Sequence, residues 1–269
     1  EKLDSVVVIE DIESDDDKRF ETIEKVYEGS KSILFKIIDH KTSNILCKKV
    51  LKIDQERISF KDAQNSIKEF EVLHMINHPC ICKCKFINIS EKDEHSELTT
   101  ISIYIEYLDY KLENLLQSEI VNNTMKVKIA VEIALGMSEL HKRGMIHRDL
   151  NINHIMLNSI FETKIIDFGM VKVNDLLNDE IDQSLTKKIG LLAFMSPEMA
   201  NEDDYDNKTD VYSYGIILYV IFSDKDIDQT MKGIMKMKRK IKLPKPSYSI
   251  SKNCIELIQK CISNPTTLL

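Results

Sequence analysis

Apolar residues come in short, turn-bounded blocks over the first third of the chain and settle into a helical period afterwards. Ile33-Leu34-Phe35-Lys36-Ile37-Ile38 and Ile45-Leu46-Cys47-Lys48-Lys49-Val50 flank the polar run Asp39-His40-Lys41-Thr42-Ser43-Asn44, which predicts a β-hairpin. Residues 62–76 change period: Ile67, Phe70, Leu73 and Ile76 share one stripe, the mark of an amphipathic helix, and Pro79 ends it. Two more strands are predicted near 81–89 and 98–106. Residues 125–141 place Val127, Ile129, Ala130, Ile133, Ala134, Met137 and Leu140 at helical spacing, with Gly144 just beyond as a stop signal. Residues 216–221 and 255–262 are further apolar helices. Strands with one helix, then mostly helices, predict an α+β protein of two lobes with a hinge near 106–110. The lobes cover 20–108 and 109–269, after an N-terminal segment, 1–19, with a strand candidate at 6–9 and a solvated acidic loop at 13–17.

Composition narrows the class. Of 269 residues, 43% are apolar and 30% charged, which suits a globular chain able to bury a core. The net charge of −7 and the lack of any nucleic-acid motif set nucleic-acid binding aside. The longest strongly apolar stretch, 216–222, is far too short to span a bilayer. Six cysteines without pairing rhythm point to a reducing, cytoplasmic setting. The chain opens on Glu1 with no leader pattern, so it reads as a piece of something longer. His74, His78, Cys80, Cys82 and Cys84 have a zinc-like density, but alternate cysteines on one strand face read as small hydrophobes. The basic stretch 232–242 reads as a solvated helix edge or partner-docking face.

The chemistry lies in four motifs in fixed order. His147-Arg148-Asp149-Leu150 precedes Asp167-Phe168-Gly169, then Ser196-Pro197-Glu198, then Asp210-Val211-Tyr212-Ser213-Tyr214-Gly215. Together they resemble the protein-kinase family from about Phe20 to Pro265. The resemblance implies a bilobal α+β fold: a small, mostly antiparallel β lobe with one main helix, and a larger, mostly helical lobe cut before its last helix. It also implies transfer of the ATP γ-phosphate to serine or threonine hydroxyls of a protein, where positioning and charge neutralisation carry the catalysis. Asp149 then accepts the hydroxyl proton and Asp167 holds magnesium. Lys49, closing Leu46-Cys47-Lys48-Lys49, clamps phosphate oxygens and is held by Glu69, with Glu71 a rival. Lys48 is expected on the opposite strand face. Ile105-Glu106-Tyr107-Leu108 resembles gatekeeper and hinge, with the backbone of Glu106 and Leu108 meeting adenine and Leu34, Cys47 and Met156 sandwiching it. Leu73, His147 and Phe168 form an internal stack, which makes His147 a packed core histidine. Arg148 implies control by activation-loop phosphorylation, with Ser184 and Thr186 as acceptors.

The sequence also departs from the family pattern. Tyr27-Glu28-Gly29-Ser30-Lys31-Ser32 keeps only the middle glycine of the phosphate-covering loop, losing cheap access to close phosphate approach. Asn151 replaces a lysine, His154 replaces a metal-binding asparagine, and Leu191 replaces the threonine that meets that lysine. Imidazole suits manganese or zinc better than magnesium. Leu268 stands where an arginine normally pairs with Glu198. Lys49, Glu69, Asp149 and Asp167 are all retained. Two readings therefore stand. One is a weak or atypical serine/threonine kinase using ATP with magnesium or manganese. The other is a pseudokinase scaffold that regulates a protein partner. The oligomeric state is not legible.

Overall fold

A computed structural model describes residues 19–29, 32–53, 60–90, 99–118, 120–173, 193–201, 204–223, 230 and 251–263. Within them the residues up to Leu108, joined by Asp167–Gly169, form one compact unit, and the remainder form a second.

The first unit is built on a five-stranded antiparallel sheet, order β1-β2-β3-β5-β4. Its strands are β1 (Phe20–Glu28), β2 (Ser32–Asp39), β3 (Asn44–Ile53), β4 (Cys84–Ser90) and β5 (Thr99–Glu106), with helix α1 (Phe60–Met75) between β3 and β4. The β2–β3 hairpin forms at the predicted turn, and Ser43 takes its left-handed position at φ 56°. Asp39 closes that turn: it accepts from the Lys41 N–H and the Thr42 hydroxyl and receives the Arg19 guanidinium on both carboxylate oxygens. Ile37, Leu46, Phe86 and Tyr104 form a buried cluster with Phe20 and Phe35 packed against it. Lys48 lies over the Tyr104 ring, whereas Lys49, the next residue of β3, meets Glu69. Adjacent lysines thus serve opposite faces of one strand.

The second unit carries β6 (Tyr110–Lys111), α2 (Leu112–Leu116), α3 (Asn123–Lys142), β7 (Met145–Ile146), a 3-10 turn (Ile152–His154), β8 (Ile155–Leu157), β9 (Thr163–Ile165), β10 (Lys172–Val173), α4 (Pro197–Ala200), α5 (Lys208–Phe222) and α6 (Lys252–Ile262). Asn122, Ser196 and Ser251 cap α3, α4 and α6 by accepting a backbone N–H from the first turn. Gly144 follows α3 at φ 69°, a conformation glycine reaches without strain. Helix α5 is buried on nearly every side, its Gly215 against α6: a Cβ there would lie 2.6 Å from Cys261 Cβ and 2.9 Å from Ile262 Cγ2.

Three sequence expectations need correction. Val127 is 52% exposed: the buried stripe of α3 is Ile129, Ala130, Ile133, Gly136, Met137 and Leu140. β4 begins at Cys84, so Cys80 and Cys82 precede the strand, although all three are buried. α5 starts well before its apolar run because Thr209, Asp210 and Ser213 are buried polar residues with hydrogen bonds inside the unit. The strand candidate and acidic loop, Ser184, Thr186, Leu191, the stretch 232–242 and the closing segment with Leu268 lie outside the described residues.

Candidate active site

In the first unit, Lys49 Nζ lies 2.5 Å from Glu69 Oε2, joining β3 to α1. The helical period turns Glu69 inward and leaves Glu71 exposed. Burial alone pushes the Lys49 ammonium towards its neutral form. The Glu69 and Asp167 carboxylates outweigh it and hold Lys49 above the ordinary lysine range. Lysine, glutamate and the motif aspartate therefore share one electrostatic environment inside this unit. Asp167 sits at φ 64°, a conformation non-glycine residues adopt at a cost, and Phe168 beside it is fully buried.

Around this pair, Leu34 lies in register with Lys49, and Cys47 with Ile105. Burial drives the Cys47 thiol up to about 11; Lys49 pulls it back and Glu69 adds to it, so it stays a neutral thiol. Glu106 is tied to Lys83 twice: its N–H donates to the Lys83 carbonyl at 2.9 Å, and its Oε1 accepts from the Lys83 N–H at 2.6 Å. Its N–H is thus not the group that would meet a nucleotide. Leu108 is buried, and the Lys36 ammonium lies 4.4 Å from the centre of the Tyr107 ring. Gly29 closes a small turn through Ser32, and the Tyr27 ring folds over it where a Cβ would stand 2.8 Å from ring atoms.

In the second unit the catalytic-type loop hangs on Asp210 of α5, which is 1% exposed. Its carboxylate accepts from His147 N at 2.8 Å, Arg148 N at 3.0 Å and His141 Nε2 at 2.8 Å. Those bonds fix the loop where Arg148 sits at φ 66°. His147 is fully buried: Nδ1 accepts from the Asp149 N–H and Nε2 donates to the Ile166 carbonyl, the neutral tautomer of a structural histidine. The Arg148 guanidinium donates to the Met170 carbonyl and the Tyr205 hydroxyl, and Lys172 lies over the Tyr205 ring. Next to Asp149, Asn151 Nδ2 donates to the Asp149 carbonyl and Oδ1, and His154 Nδ1 lies 2.8 Å from the same carbonyl. Met156 lies on β8, opposite Lys111 and Lys164.

A family model for the protein kinase domain matches residues 20–267. The chain belongs to the protein kinase family. The chain is 26% identical over 216 residues to cyclin-dependent kinase 12 of Drosophila melanogaster, covering 78% of this chain and 18% of that protein. Dual specificity testis-specific protein kinase 2 of Mus musculus is 29% identical over 208 residues, 75% of this chain and 34% of that one. The CTD kinase subunit alpha of Schizosaccharomyces pombe is 26% identical over 213 residues, 78% and 34%. The chain thus spans between 18% and 34% of the length of these curated relatives.

The kinase fold is the bilobal α+β class its motifs imply. The structure brings Lys49, Glu69 and Asp167 together in one unit, and Asp149, Asn151 and His154 together in the other. Sequence reasoning missed His141 and Tyr205 as loop supports. Asp210 was legible only as part of a motif, without its role as acceptor, and Tyr205 joins Arg148 across a separation that no local pattern announces.

No cluster of three or more His, Cys, Asp or Glu among the described residues is arranged to hold a metal. A magnesium bound chiefly through substrate phosphates and one or two carboxylates needs none. Asp167, a hard oxygen donor, fits that ion. His154 does not: its donor atoms are nitrogens, and Nδ1 is engaged at the Asp149 carbonyl. No helix among the described residues is long and apolar enough to cross a membrane.

Proposed function

We propose that this kinase domain transfers the γ-phosphate of ATP to serine or threonine hydroxyls of a protein. The observation that carries the reading is the formed Lys49–Glu69 pair with Asp167 in its field. Lys49 would bind phosphate oxygens, and Asp167 would hold magnesium, which bridges the phosphates and neutralises developing charge. Asp149 would accept the hydroxyl proton, its loop fixed by Asp210. Glu106 and Leu108 would meet adenine through backbone groups, with Leu34, Cys47 and Met156 against the ring and Gly29 near the phosphates. Manganese is the alternative metal if His154 contributes a ligand through its other nitrogen. Arg148 would respond to phosphate on Ser184 or Thr186. The bounds 20–108 and 109–269 would separate the two lobes. The partner is a protein substrate, and six cysteines without pairing rhythm along the sequence suit a cytoplasmic setting.

The test is transfer of labelled phosphate from ATP to a generic basic protein, with magnesium and with manganese. Transfer that falls at least about a hundredfold in Lys49→Ala and Asp149→Ala is the expected result. The reduced glycine loop and His154 favour a second reading, the pseudokinase scaffold. ATP raising the melting temperature of the folded domain without any transfer selects that reading.

A further inference from the structure

We propose that Asn151 is a positioning residue that sets the orientation of the Asp149 carboxylate, an inference that rests on the kinase activity proposed above. Asn151 is 1% exposed, and an amide so buried is stable only with each polar atom bonded. Its two amide hydrogens go to Asp149: Nδ2 lies 2.9 Å from the Asp149 carbonyl and 3.1 Å from Asp149 Oδ1. Its Oδ1 accepts from the Asn153 N–H at 2.9 Å and so caps the 3-10 turn. The reverse amide orientation would set an oxygen against a carbonyl and a carboxylate, so the network fixes which end is nitrogen.

His154 meets Asp149 chiefly at its backbone carbonyl. Its Nδ1 lies 2.8 Å from the Asp149 carbonyl, so that nitrogen carries a hydrogen. The 3.0 Å approach of His154 Nδ1 to Asn151 Nδ2 is then two donors sharing one carbonyl acceptor. Asp149 Oδ2 is 3.5 Å from His154 Nδ1, a longer contact than that of Asn151 Nδ2 to Oδ1. The bond from Asn151 to Oδ1 therefore restrains rotation of the Asp149 carboxylate. A proton acceptor works only within reach and alignment of the hydroxyl, so restraint of this kind acts on the chemical step. A lysine at this position has no acceptor for the Asn153 N–H. Asparagine thus gives the loop an internal clasp where relatives of the family pattern carry a cation.

The experiment has two arms. Asn151→Ser keeps an acceptor for the Asn153 N–H, the role of a helix cap, but is too short to reach Asp149 Oδ1; Asn151→Ala removes both bonds. With ATP and a basic protein substrate, both variants are expected to lower kcat about tenfold or more while leaving KM for ATP within about twofold. An unchanged kcat in Asn151→Ser overturns the proposal, as does a change confined to KM for ATP. The second arm needs no activity. In nitrogen-15 labelled protein the side-chain amide pair of Asn151, assigned by its loss in Asn151→Ser, is expected to shift in Asp149→Ala. No shift overturns the contact itself. A wild type that phosphorylates nothing while the amide contact persists overturns both the kinase reading and the positioning role, and leaves the contact as a loop clasp.

Discussion

Lys49 and Asp149 are held by different physics. Lys49 is held by an ion pair between a strand and a helix, in the field of Asp167, with a fifth of its side chain still exposed. Asp149 lies in a loop whose neighbours donate three N–H groups to one buried carboxylate, Asp210, and whose Asn151 is itself buried. An ion pair carried by a long lysine can part and re-form as a helix shifts, because the partly exposed Lys49 end can find water although Glu69 is buried. A loop hung on a buried acceptor cannot, because parting leaves donors without water or protein to meet them. The contrast makes the first region adjustable and the second fixed. It predicts that damage to the first lowers activity, whereas damage to the second unfolds the unit.

The strongest way to break that contrast is Asp210→Ala. The change removes the carboxylate that the N–H groups of His147 and Arg148 and the Nε2 of His141 share, and it releases Arg148 from its left-handed conformation. Loss of one side of a buried charged network costs about 3–5 kcal/mol. Urea unfolding is expected to report that loss, and Asp210→Asn, which keeps an acceptor, a smaller one. Equal stability of Asp210→Ala and wild type would mean that the loop is held elsewhere. Next in size is Glu69→Gln, which keeps an oxygen for Lys49 but removes the charge. Phosphate transfer is expected to fall roughly tenfold to a hundredfold through misplacement of the lysine. The urea midpoint should move little. A large stability loss with intact transfer reverses the contrast.

How much of this was legible follows the same division. The hairpin around residues 39–44, the α1 stripe and the end of α3 at Gly144 were readable because hydrophobic period and turn chemistry are local signals. Lys49 and Glu69 were readable because Leu46-Cys47-Lys48-Lys49 and Glu69-Phe70-Glu71-Val72-Leu73 resemble the family's motifs; strand alternation then sends Lys48 to the other face, and helical period leaves the rival Glu71 exposed. The α5 boundary was not, since Thr209, Asp210 and Ser213 look like surface residues until their partners from distant segments are known. Val127 misled because a periodic apolar position says which face it joins, not how far burial extends round the helix. The role of Asn151 was hidden for a further reason. A substitution within a motif announces what has been lost, whereas the new bonds to Asp149 and Asn153 depend on loop dihedrals that no spacing encodes.

The fixed character of the second unit extends to its helix packing, and Gly215→Ala tests it at the next scale down. A Cβ at this position meets Cys261 Cβ, an atom set by the α6 backbone, and cannot be relieved by a rotamer change. Overpacking of this kind costs about 1–3 kcal/mol. Because α5 also carries Asp210, the strain should reach the loop, lowering kcat together with the melting temperature. Cys261→Gly in the same chain is expected to restore part of both. A melting temperature unchanged by Gly215→Ala would show that α6 yields readily and that this unit is less rigid than its burial implies.

The smallest expected effect lies in the first unit, at Asp39, a buried carboxylate that invites comparison with Asp210. Burial pushes its pKa up, but hydrogen bonds from Arg19, Thr42 and the Lys41 N–H, with the Arg19 charge, together outweigh it, and the carboxyl titrates below its ordinary 3.8. A folded pKa below the unfolded one means that the unfolded chain binds the proton first. The stabilisation is therefore present in full above the ordinary value and fades as pH falls through the folded one. Melting temperature measured from pH 7 to pH 2.5 is expected to show this acid loss in wild type and a shallower limb in Asp39→Asn. The asparagine keeps an acceptor for the turn but loses the titration. Asp210 binds the catalytic loop to a helix, whereas Asp39 binds only a hairpin turn and Arg19. Removing its charge should accordingly leave phosphate transfer at neutral pH unchanged, and a drop in transfer would show that the hairpin end communicates with Lys49 along β3.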